Sequence, residues 1–111
     1  MSSCPAINSL TLSREGQGAL KDIQQVMKLA KYLQITLTAG TLLVVLYEEK
    51  VIPQVFNINM ADWEALGVGI KAISDVKKEQ IKKISMGMAL RSGGGDEYRF
   101  WKAMYYLCMF N

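Results

Sequence analysis

The apolar positions of this chain change their period along its length, and the changes mark out its elements. Residues 1–12 contain Pro5 and the alternating Leu10-Thr11-Leu12, which predicts an extended start, with Thr11 or Ser13 placed to cap a helix beginning near Arg14. Over residues 14–33, Leu20, Ile23, Met27 and Ala30, joined by Val26, Leu29 and Leu33, recur at intervals of three and four. That period predicts an amphipathic helix with Arg14, Lys21, Lys28 and Lys31 on its wet face, frayed at Gly16 and Gly18.

Residues 34–58 read differently, because β-branched side chains are dense in Ile35-Thr36-Leu37-Thr38 and again from Thr41 to Val45. A short hairpin broken at Ala39-Gly40 is one reading. The other, preferred, makes Thr41 an N-cap and runs a buried helix through residues 42–49. Pro53 then forces a break, and residues 54–58 are expected to be extended.

Asn59 or Asp62 can cap the next helix, whose apolar face is Trp63, Leu66, Ile70 and Ile73, with Gly67 and Gly69 allowing close approach of a neighbour. The phase slips near Ser74-Asp75 and resumes with Ile81, Ile84 and Met88 inward over residues 76–90, which predicts two helices or one kinked helix. Residues 92–95, Ser-Gly-Gly-Gly, form the expected flexible joint, after which Asp96 and Glu97 suit the positive end of a last helix. Tyr98, Phe100, Trp101, Met104, Tyr105, Tyr106, Leu107, Met109 and Phe110 are distributed all around that helix, so it cannot stand alone in water. The fold class expected is mainly α, a compact helical domain of about five helices with a possible short β element within residues 34–58.

Composition narrows the function class. With 111 residues at 50% hydrophobic, the chain suits one compact domain and is too short for two. Its apolar end, Cys-Met-Phe-Asn, also fits the N-terminal part of a longer protein. Cys4 and Cys108 are the only cysteines and no histidine is present, which argues against a thiolate metal site and gives no reason to expect a cofactor. A Cys4–Cys108 disulfide is the minor reading; a surface thiol and a buried one in an intracellular, reducing compartment is the expected state. The uncharged residues 32–47 are too few, and too rich in threonine, to span a bilayer as a helix.

Candidate chemistry is thin. Without histidine the usual neutral-pH acid–base group is missing, the acidic pairs Glu48-Glu49 and Asp96-Glu97 look like end charges, and no small-molecule substrate is expected. Arg91 before the glycine run invites a phosphate-loop reading, but the motif is incomplete and two acids follow it. What remains is association. Tyr98, Trp101, Met104 and Tyr105 are the expected self-association residues, because tyrosine, tryptophan and methionine favour interface centres as well as cores. Lys71, Lys77, Lys78, Lys82, Lys83 and Arg91 form a basic ridge that could meet RNA or another polyanion through its phosphates. The leading expectation is therefore a non-enzymatic assembly domain, a homo-oligomer or binder of a helical protein partner, of the kind found in viral nucleocapsid or matrix proteins. The alternatives are an adaptor or inhibitor whose lysines only keep it in solution, and a protein lying on a membrane surface.

Overall fold

The structure is a computed structural model, and it describes residues 6–27 and 55–111. Strand β1 (Ile7–Thr11) leads into helix α1 (Arg14–Met27); strand β2 (Val55–Ile58) then precedes α2 (Met60–Ala72), α3 (Asp75–Ser92) and α4 (Gly95–Phe110). The described residues are thus mainly helical, as expected, with four helices where about five were expected. The expected helix over residues 42–49, and the choice between helix and hairpin there, lie outside the described residues.

The two segments read as extended pair with each other. β1 and β2 are antiparallel, with Ile7 opposite Ile58 and Leu10 opposite Phe56. Three steps along β1 therefore match two along β2, and the extra residue puts Ile7 and Leu10 on the same buried face. Leu12 follows them into the core. This small sheet carries the start of α1 and lies against α4.

Helix α1 runs unbroken through Gly16 and Gly18 rather than fraying there, and it buries Ala19, Leu20, Ile23 and Met27. Helix α2 begins at a reciprocal cap: the Asp62 N–H donates to the Asn59 side chain at 2.9 Å, and the Asn59 N–H donates to Asp62 at 3.0 Å. The periodic face expected from the sequence, Trp63, Leu66, Ile70 and Ile73, is buried. The phase slip is a true break. Ile73 closes α2 in extended conformation and the Ser74 hydroxyl accepts from the Lys77 N–H, starting α3 as a separate helix.

Between α3 and α4 the chain turns on Gly93, Gly94 and Gly95, all at positive φ (70°, 120° and 78°). A side chain at these positions would be strained, so the glycine run is required by the turn. The turn lays α4 back along α3, the most extensive helix pair among the described residues. Trp63, Phe100 and Trp101 form the aromatic centre, with ring centroids 5.7 Å apart for Trp63–Phe100 and 4.8 Å for Phe100–Trp101.

Candidate functional site

Helix α4 is two-sided. Phe100, Trp101, Ala103, Met104 and Cys108 are buried against the rest of the fold. At ~100° per residue the opposite side collects Tyr98, Lys102, Tyr105, Tyr106, Met109 and Phe110. There Lys102 reaches across its neighbours one turn away, with Nζ 5.7 Å from the Tyr98 ring centre and 6.0 Å from that of Tyr106. Tyr106 stacks on Phe110 (centroids 6.0 Å, planes 17° apart) and meets Tyr105 edge to face at 5.6 Å. Phe110 is 60% exposed and Met109 47%. A row of aromatic faces thus runs along the outside of α4, with one cation laid over it.

This arrangement divides the four residues expected to make self-association contacts. Tyr98 and Tyr105 lie on the outer side, half-buried, but Trp101 and Met104 are fully buried and take part in the core instead. The outer row includes two residues absent from that expectation, Tyr106 and Phe110. The sequence held their signal in the spacing of four from Tyr98 through Lys102 and Tyr106 to Phe110.

Beside the row lies a groove of about 400 Å³ between α2 and α4, lined by Met60, Trp63, Glu64, Gly67, Val68, Lys71, Leu107 and Asn111. Gly67 forms its floor. A Cβ there would stand 3.5 Å from Leu107 Cδ2, so even alanine would begin to fill the space. Val68 (61% exposed) and Met60 (47%) stand at its rim.

The basic residues do not form one ridge. Lys78 and Lys82 flank α4: Lys78 Nζ donates to the Asn111 carbonyl at 3.0 Å, where a cation suits the negative helix end, and Lys82 pairs with Glu79 at 3.1 Å. Lys83 and Arg91 lie on the other side of α3, where with Lys21 they line a groove of about 520 Å³ against α1, alternating with Glu15 and Asp22. Lys71 belongs to α2 and the first groove, and Lys77 is half-buried near the start of α3.

Glu97 is a structural residue, although its place in the sequence suggests only an end charge. Its carboxylate accepts from the Ser13 N–H (3.1 Å), the Ser13 hydroxyl (2.9 Å) and Trp101 Nε1 (3.2 Å). The Ser13 hydroxyl in turn accepts from the Gly16 N–H at 3.0 Å. A carboxylate from α4 thereby closes the positive end of α1. Gly16 is glycine for the same reason, since a Cβ would collide with Glu97 Oε2.

Cys108 is a free, buried thiol, and burial pushes its pKa from 9.0 up to about 12 against the opposing pull of Lys82 and Lys78. At neutral pH it is a poor nucleophile. Cys4 lies outside the described residues. Among the described residues no group of three or more acidic or cysteine side chains is placed to hold a metal ion, and no helix is long and apolar enough to cross a membrane. No protein-family model matches the chain, and no curated protein or solved structure matches it either.

Proposed function

We propose that this chain is a non-enzymatic assembly domain that self-associates through the outer side of α4. The observation that carries the reading is the outer aromatic row, with Tyr98, Tyr105 and Tyr106 half-buried and Phe110 exposed, on a helix whose other side is already occupied by the core. Aromatic rings held in rows lose little side-chain freedom on docking, and each adds much apolar area at low entropic cost. The absence of histidine and the depressed nucleophilicity of Cys108 support a binding role over catalysis.

The test is Tyr106→Asp with Phe110→Ser. Because both side chains stand outside the core, circular dichroism should be preserved, and the mass by light scattering should fall to that of one chain. A folded variant with unchanged mass would refute the reading.

A second reading, contact with a polyanion, is favoured by the convergence of Lys21, Lys83 and Arg91 on the α1–α3 groove. Together the two properties would suit a nucleocapsid or matrix-type structural protein; without the second, an adaptor or inhibitor remains. Single-stranded RNA binding that weakens steeply with salt and is lost in Lys83→Glu with Arg91→Glu would support the polyanion reading, and no binding at low salt would remove it.

A further inference from the structure

Resting on the self-association reading, we infer that the partner is a second copy of this chain whose α2 lies antiparallel in the α2–α4 groove, about a two-fold axis passing between Gly67 and Val68. Met60, Glu64, Val68 and Lys71 of α2 are exposed, as is Ala72 at its end, whereas Trp63, Ala65, Leu66 and Ile70 are buried. Glu64 stands three residues before Gly67 and Lys71 three after Val68. Reversing the helix about that midpoint therefore maps Glu64 onto Lys71 and Gly67 onto Val68.

The face is thus complementary to itself, which is what a two-fold interface demands of one surface. At its centre each copy's exposed Val68 enters the other's groove beside Gly67, which is itself buried and whose missing side chain leaves room next to Leu107. One helical turn out on either side, Glu64 of one copy faces Lys71 of the other, giving two symmetric ion pairs. Neither charge has an ion-pair partner within its own chain among the described residues. The groove wall continues into the aromatic row, because Leu107 lines the groove and Phe110 follows it one turn later on α4. One docked copy covers both features.

The pairing makes a charge-reversal test decisive. In Glu64→Lys both inter-copy pairs become lysine against lysine, and in Lys71→Glu both become glutamate against glutamate. Like charges set against each other in an interface weaken it by about tenfold or more. Each variant alone should therefore sediment as a monomer at concentrations where the wild type is a dimer. An equimolar mixture of the two variants restores both attractive pairs and should recover the dimer. Both sites are exposed, and thermal melts of each variant against wild type check that the fold is kept.

Dimers that survive either single reversal, or a mixture that stays monomeric, would overturn this geometry. If Tyr106→Asp with Phe110→Ser still dissociates the wild-type oligomer in that event, self-association through α4 stands without it. A wild type that is monomeric throughout would remove both.

Discussion

The Glu97 clasp permits a sharp energetic test because one substitution should change sign with its background. Glu97→Ala removes three hydrogen bonds to a carboxylate. The two from Ser13 are exposed and water replaces them in part, whereas Trp101 is fully buried and its indole N–H loses its partner. One unpaired buried donor and two weakened surface bonds amount to about 2–3 kcal/mol of lost stability. Gly16→Ala should cost nearly as much, about 1–3 kcal/mol, because the new methyl drives the Glu97 carboxylate off the same donors. With Glu97→Ala already present the collision is gone, and only the Ser13 hydroxyl, 3.2 Å from the new Cβ, must shift slightly. There Gly16→Ala should be neutral or stabilising by up to ~1 kcal/mol, through the better helix propensity of alanine. Urea unfolding followed by circular dichroism gives the four stabilities of the cycle, provided the m-value is shared. An equal cost of Gly16→Ala in both backgrounds would falsify the clasp and make Gly16 a matter of α1 propensity alone.

Other expectations rest on the same packing. Trp101→Ala should lose about 3–5 kcal/mol as a core truncation, in contrast to the outer-row substitutions on the same helix; a folded, fully stable variant would place Trp101 at the surface. Asn59→Ala, which opens the reciprocal cap of α2, should cost about 1 kcal/mol in a denaturant titration. Cys108 binds its proton more tightly folded than unfolded, so its contribution is complete below pH 9.0 and is lost as the pH rises toward about 12. Across that window wild-type stability should fall relative to Cys108→Ala with a slope approaching ~1.4 kcal/mol per pH unit, the value for one proton. Parallel stability curves for the two proteins would contradict the burial of that thiol, as would rapid labelling of Cys108 at pH 7.

Much of the local structure was legible because its causes are local. The cap at Asn59, the apolar period Trp63, Leu66, Ile70, Ile73, the serine that restarts the chain at α3 and the glycine run before α4 each act within a few residues. What the sequence hid depends on distant partners. Nothing near Ser13 announces that Glu97, 84 residues away, caps α1, nor does the β1 pattern show that Ile7 pairs with Ile58. The outer side of α4 was concealed for a different reason. Tyrosine, tryptophan and methionine satisfy a core and an interface equally, so only packing against α3 and β1 separates Trp101 and Met104 from Tyr106 and Phe110. The lysines of α3 looked like one ridge in a linear reading, but a helix clasped on two sides sends Lys78 and Lys82 toward α4 and Lys83 and Arg91 toward α1.

Equilibrium sedimentation of the wild-type protein across a wide concentration range addresses association most directly. Self-association through α4 and the α2 groove predicts a reversible rise from the chain mass of 12.4 kDa to twice that value, abolished by Tyr106→Asp with Phe110→Ser. A mass that stays at one chain at every concentration would mean that the outer aromatic row does not hold copies of this protein together.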